Sequence, residues 1–153
     1  MNAWSRLLVL SVFALAPTVP VLAADTSPAA AGDPVLEQAA AATAEKNWPR
    51  VQAILKDALA ANPGNADYHN LYAYSVRKGA SPDMNVVFKH YNEALRLDPR
   101  HRGAHEYIGE AYLMVGNLAK AKEHLVTLDK LCFFPCQEHT DLKRAISEHE
   151  KRK

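Results

Sequence analysis

Along most of this chain apolar residues recur at three- and four-residue spacing, the period of a helix with one buried face. Val51, Ile54, Leu55, Ala58 and Leu59 form such a stripe, which predicts an amphipathic helix. Upstream, the Ala-rich run 35–44 is a strong helix former that ends near Lys46-Asn47. Trp48-Pro49 turns the chain between the two, with Pro49 near the first position of the second helix, where its missing N–H costs nothing. Trp48 is expected to pack between the two helices of this hairpin. Near the far end, Pro135 must stop a long helix. Thr140 or Asp141 can cap a last helix running to about Glu150. Its Leu142, Ala145, Ile146 and His149 share one face, while Lys143, Arg144, Glu148 and Glu150 point away. The pattern predicts an all-α chain.

The middle of the chain says nearly the same thing twice. Asn62-Pro63-Gly64-Asn65-Ala66-Asp67-Tyr68-His69 is followed, after a helix-length gap, by Asp98-Pro99-Arg100-His101-Arg102-Gly103-Ala104-His105. In both copies the His falls six residues after the Pro, and a small residue, Ala73 or Gly109, follows four later. Laying His90 on His124 aligns Phe88–Leu95 with the segment that begins at Lys122. A period in the mid-thirties with two helical patterns per period is the mark of a helical-hairpin array. One such unit cannot bury its apolar face alone, so the copies must stack.

These residues resemble the tetratricopeptide repeat family. Counted from Arg102, the residues Ile108, Gly109, Tyr112, Gly116, Ala121, Leu125 and Leu128 fall where that family places its signature. The earlier copy, counted from Ala66, gives Tyr72, Ala73, Val76, Val87, Tyr91, Ala94 and Pro99, with about two extra residues in its turn, 79–84. Surface turns tolerate such insertions. The resemblance implies stacked helical hairpins in a right-handed superhelix. In it, a degenerate repeat at about 32–65 precedes repeats at about 66–101 and 102–135, and a capping helix closes the array at about 138–151. One face of that last helix covers the stack and the other keeps it soluble.

The ends change the picture of compartment and charge. Residues 1–24 read as a secretory signal peptide: Arg6 is the single charge, 7–22 is apolar, and Val21-Leu22-Ala23-Ala24 has the small residues a signal peptidase reads. Pro17 and Pro20 break the run, which falls short of the roughly 20 residues of a membrane span. Cleavage before Ala24 or Asp25 is expected, leaving no membrane span and a periplasmic or secreted protein. Residues 25–34, rich in Ala, Ser, Gly and Pro, are expected to be a disordered lead-in. Losing Arg6 takes the formal net charge from +1 to zero. With no basic field to attract phosphates, nucleic acid is not an expected partner. The terminal Lys151-Arg152-Lys153 reads as a solvated helix end.

Candidate chemistry rests on seven His and two Cys. His69, His105 and His139 are placed alike near the starts of successive first helices, in the packing slot that the family often gives to Trp or Tyr. Packed helices lie about 8–10 Å apart while His–metal bonds are about 2 Å, so no shared metal ion is expected. His101 and His105 lack an HExxH context, and His90 and His124 are expected on an outward, exposed face. Ser75, Ser81 and Ser147 have no nucleophile elbow around them. No enzyme activity and no cofactor are expected. In an oxidising compartment Cys132 and Cys136 are expected to pair, locking the turn into the last helix by on the order of 2 kcal/mol. The alternative is an accessory thiol–disulfide protein that uses Cys132 and Cys136 on a client, although Cys-x-x-Cys is absent.

What remains is binding. The resemblance implies a concave groove lined by first helices that takes a protein or peptide partner, either an extended peptide or a helix. The implied groove positions are Asp67, Asn70, Tyr74, Arg77 and Lys78 from one repeat, and Glu106, Glu110, Leu113 and Met114 from the next. The first set is basic with an aromatic; the second is acidic and apolar. The Lys, Asn, Asn, Lys, Arg set of the family's carboxylate-clamp members is matched only by Asn70, Arg77 and Lys78, so that specificity does not carry over. The reading is a periplasmic adaptor or assembly factor.

Overall fold

Apolar stripes at helical spacing have only one way to leave water here, which is to face one another across neighbouring helices. The computed structural model describes residues 32–134 and 136–152. The expected leader, and the lead-in up to residue 31, lie outside the described residues. Among those described there are seven α-helices and no strand. They are α1 (Pro34–Ala44), α2 (Trp48–Ala61), α3 (Ala66–Lys78), α4 (Met84–Leu97), α5 (Arg102–Met114), α6 (Leu118–Leu131) and α7 (Gln137–Lys151).

Six of the helices begin on a side-chain cap. Asp33, Asn47, Asn65, Asp83, His101 and Asn117 each accept from a backbone N–H in the first turn. Each satisfies a donor that the helix itself leaves unpaired, a contribution of about 1 kcal/mol for the Asn and Asp caps. Asp33 caps α1 and Pro34 is its first residue, so the helix takes in the last residue of the expected lead-in. Asp33 also accepts from the Tyr68 hydroxyl at 2.6 Å, tying the start of α1 to α3. The last helix differs. It starts at Gln137 behind Cys136, which makes no side-chain cap, rather than at Thr140 or Asp141. Thr140 instead lies within the first turn and bonds back to the Cys136 carbonyl from both its N–H and its hydroxyl.

The hairpin turns explain two residues. Gly116 sits at φ 76° between α5 and α6, and Lys46 sits at φ 55° between α1 and α2. In both turns the following Asn N–H reaches the carbonyl five residues back, Asn117 to Tyr112 and Asn47 to Ala42, each at 2.8–2.9 Å. This pattern demands a left-handed residue, which Gly adopts freely and Lys does not.

Three apolar clusters follow one another along the stack. Ala39, Ala42, Val51, Leu55 and Tyr68 join α1 and α2 to α3. Ala73, Val87, Tyr91, Ile108 and Ala111 join α3 and α4 to α5. Leu113, Ala121, Leu128, Leu142 and Ile146 join α5 and α6 to α7. Each cluster is one hairpin plus the first helix of the next unit, and α7 closes the third. At Gly109 a Cβ would fall 2.7 Å from Leu142 Cδ2, so the missing side chain is what lets α7 seat against α5. Trp48 does not stay within its own hairpin: its ring meets Tyr74 of α3 edge-on at 5.8 Å.

The recurring His has a sharper role than aromatic packing. His69 Nε2 lies 3.0 Å from the Pro63 carbonyl, and His105 Nε2 lies 3.1 Å from the Pro99 carbonyl. A carbonyl only accepts, so Nε2 carries the proton and Nδ1 is left as the acceptor. That Nδ1 receives the Nδ1–H of His90 in one hairpin and of His124 in the other, both at 2.9 Å. His90 and His124 are therefore half-buried latches between paired helices, correcting the expectation of exposure. Burial, reinforced by the neighbouring His69 or His105, pushes both down to about 4. His139 does not share this slot. It follows Pro135 by four residues rather than six, and its Nε2 lies 3.8 Å from Asp129.

Candidate functional site

The expected groove positions lie on the first helices α3 and α5, and one helical frame runs through these two and α7. The fifth residue of each is Asn70, Glu106 and Asp141. The ninth is Tyr74, Glu110 and Ala145, and the twelfth is Arg77, Leu113 and Glu148. Residues at these offsets share one helix face. Two cavities open on them. One, of about 260 Å³, lies toward the N-terminal ends and is lined by Asn70, Glu106, Tyr107, Glu138 and Asp141 among others. The other, of about 440 Å³, lies toward the C-terminal ends, where Lys78, Glu110, Met114, His149 and Arg152 face it.

The expected basic edge divides in two. Arg77 is only 6 % exposed. Its Nε donates to the Tyr91 hydroxyl at 3.3 Å, and its Nη2 comes within 2.8 Å of Glu110 Oε2 as a charge contact rather than an aligned hydrogen bond. Its guanidinium also lies 5.4 Å from the Tyr74 ring centre and 5.7 Å from that of Tyr107. A guanidinium packed beside two rings and a carboxylate is an internal strut. Lys78, one residue on, is exposed, with its Nζ 6.0 Å from the Tyr74 ring centre. It is the cation of this pair that an incoming group can meet. Tyr74 packs on Tyr107 with centres 4.7 Å apart, and Glu110 is engaged by Arg77. Leu113 is buried in the third cluster, whereas Met114 stands 54 % exposed. Asp67 is taken up by His101, whose Nε2 is 3.0 Å away.

The N-terminal cavity is acidic. Glu106 is only 8 % exposed, and its carboxyl has no hydrogen bond or ion pair among the described residues. Burial pushes it up to about 8; the charges of Glu110, Asp141 and Glu138 add to the shift and Arg77 opposes it. Asn70 Oδ1, also buried, has no partner either. Sequence reasoning left out Tyr107 and every α7 residue that lines these two cavities, because the capping role gave α7 no place beside them. Carrying the repeat frame past Pro135 would have found them.

Cys132 and Cys136 bridge the α6–α7 connection, with Cα atoms 5.8 Å apart. Phe133 and Phe134 stand exposed beside the bridge. Among the described residues no group of three or more His, Cys, Asp or Glu is placed to hold a metal ion. No described helix is long and apolar enough to cross a membrane.

No established family profile matches the chain. Among curated proteins it is similar to the inactive TPR repeat-containing thioredoxin TTL3 of Arabidopsis thaliana, 30 % identical over 98 residues and covering 62 % of this chain. It is also similar to the TPR repeat-containing thioredoxin TTL4 of the same plant, 28 % identical over 98 residues and covering 64 %. The match spans 13 % of the length of each of these relatives. Among solved structures, the TPR2B domain of yeast Sti1, in a complex with pHsp70, superposes with a TM-score of 0.68 at 14 % identity, covering 78 % of this chain and 96 % of that one. The TPR domain of Arabidopsis OM64 superposes at 0.61 with 17 % identity, covering 75 % and 93 %. The fold is that of tetratricopeptide repeat domains.

Proposed function

We propose that this tetratricopeptide-fold chain is a non-catalytic interaction module, an adaptor or assembly factor of the periplasm or secreted space, that receives a peptide or partner helix along α3, α5 and α7. The carrying observation is the common frame of the three first helices, which sets Asn70, Glu106 and Asp141, then Tyr74, Glu110 and Ala145, in line beside two open cavities. A structural relative solved with pHsp70 supports a protein partner. The leader-like 1–24 and the bridged Cys132–Cys136 support an oxidising compartment outside the cytoplasm.

Site-directed photo-crosslinking tests the groove. Met114 in the groove and Val126 on α6 are equally exposed, at 54 %, so a crosslinker at either position meets solvent alike. Crosslinks from the native compartment at position 114 and none at 126 are expected. Equal labelling, or labelling at 126 alone, overturns the reading. N-terminal sequencing of the exported protein checks the compartment: a mature chain starting at Ala24 or Asp25 is expected, and an uncleaved one retained inside the cell overturns it.

One observation favours the thiol reading as an alternative. Cys136 stands at the N-terminus of α7, where the helix dipole favours a thiolate. A bridge that survives a glutathione buffer supports a structural pair, and one that exchanges with it supports redox use.

A further inference from the structure

The acidic cavity between α3, α5 and α7 holds two features that the fold itself leaves unused. The Glu106 residue is nine-tenths buried, and its carboxyl takes no hydrogen bond or ion pair from a protein group among the described residues. Asn70 is still more buried, at 5 % exposed, and its Oδ1 is unpartnered. Both side chains line the same cavity of about 260 Å³; the Asn70 Oδ1 is the acceptor sealed off without a partner, and the Glu106 carboxyl faces the cavity with only solvent to bond. Leaving a buried acceptor such as the Asn70 Oδ1 unpaired is costly, and together with the unpaired Glu106 carboxyl beside it this marks a place for a donor that arrives from outside.

The rest of the wall selects that donor's charge. Glu138 and Asp141 of α7 reach the same cavity. Each is held only by an exposed arginine: Arg102 at 3.6 Å from Glu138, and Arg144, on the same helix turn, at 2.8 Å from Asp141. Pairs with one exposed partner of this kind contribute little and are easily exchanged. No basic side chain lines the cavity; Arg77, the nearest buried cation on α3, is engaged by Glu110 and Tyr91. Leu71 and Tyr107 supply an apolar wall along which an aliphatic stem can lie. The volume suits the end of one long side chain rather than a helix.

We propose that this cavity is a subsite for a single cationic side chain, the ammonium of Lys or the guanidinium of Arg, carried by the segment that the groove binds. The proposal rests on the groove reading above and adds the chemistry of what enters it. Glu106 and Asn70 accept from the cation, and Asp141 and Glu138 neutralise it from the α7 side. The charged groups facing Glu106 are Glu110 on its own helix, Arg77 from α3, and Glu138 and Asp141 from α7. An empty cavity holds Glu106 largely protonated at neutral pH. An entering cation favours the carboxylate, so occupancy expels a proton and strengthens as pH rises toward 9.

The test is a chemical-shift titration of the full chain with N-acetyl-lysine methylamide, N-acetyl-arginine methylamide, glycinamide and N-acetyl-glutamine methylamide. Saturable shifts at Asn70, Glu106 and Tyr107 with the Lys or Arg probe are expected, with a response that grows between pH 6 and pH 9. The neutral Gln probe should leave these signals in place. A response to glycinamide equal to that of the side-chain probes would assign the subsite to a free amine and overturn the side-chain proposal. Glu106→Gln mimics the protonated acid and should fold; it is expected to weaken the Lys or Arg probe roughly tenfold, the effect of one charge-assisted bond. Asp141→Asn, at the open side, should weaken it less. An equal response to the Gln probe, or binding unchanged by both variants, overturns the proposal. The groove reading fails on a different result: crosslinking from position 114 that never exceeds that from 126.

Discussion

Gly109 offers the most direct check on how the stack is closed. A side chain there would place its Cβ 2.7 and 2.8 Å from the two Cδ atoms of Leu142 and 3.3 Å from its Cγ. Carbon atoms in contact sit about 3.5–4.0 Å apart, so α5 and α7 must separate by roughly 1 Å or Leu142 must turn. Leu142 is fully buried and has nowhere to turn. Gly109→Leu therefore carries the overpacking cost of about 1–3 kcal/mol at its upper end, offset by about 1 kcal/mol of improved helix propensity. The net expectation is a loss of about 2 kcal/mol. Leu142→Ala alone should lose about 2–5 kcal/mol through the cavity it leaves. Combined, the two exchange the large and small partners across one contact and largely keep its volume. The double variant should then be well above the sum of its parts, with a coupling of about 2 kcal/mol or more. Urea unfolding followed by circular dichroism gives all four stabilities, and hydrogen exchange reports whether α7 opens first. Additivity within about 0.5 kcal/mol would refute the contact and the role of α7 as closure.

Lys46→Gly should raise stability by about 1 kcal/mol, because Lys46 holds a left-handed backbone at φ 55°; a lower melting point would refute the turn geometry. Arg77→Glu should destabilise by about 3–5 kcal/mol, since it sets a buried carboxylate beside the half-buried Glu110. Lys78→Glu, on an exposed side chain, should leave the melting point within a few degrees, and equal effects of the two would refute the strut. His90 and His124 sit at about 4 when folded against 6.5 when free, so the folded chain binds fewer protons. Their contribution is complete above pH 6.5 and is lost as pH falls toward 4. The melting point should decline between pH 6.5 and 5, above the ordinary carboxylate range, and the decline should flatten in His90→Gln with His124→Gln. Glu106 runs the other way. Raised from 4.5 to about 8, it stabilises fully at acid pH and gives that up as pH rises through 8, a fall that Glu106→Gln should remove.

What the amino-acid sequence determined by itself was local. The stripe Val51, Ile54, Leu55, Ala58 and Leu59 could only be one helix face, and Pro63 and Pro99 could only punctuate. Because each apolar face needs a neighbour, the repeat also implied an all-helical stack, and the structure is one. Even the His six residues after Pro was legible, although its bond to the Pro carbonyl was not. Helical period is a property of one element, whereas the identity of each partner depends on how hairpins rotate against one another. Arg77 and Lys78 are neighbours in the chain, yet consecutive residues point about 100° apart around a helix. Only the position of α5 decided that the first meets Glu110 and the second meets water. His90 and His124 looked outward on their own helices until the paired first helix supplied His69 and His105. Tertiary structure likewise made α7 both lid and wall. Its Leu142 fills the space over Gly109, and that seating carries Glu138 and Asp141 to the cavity that Glu106 and Asn70 line.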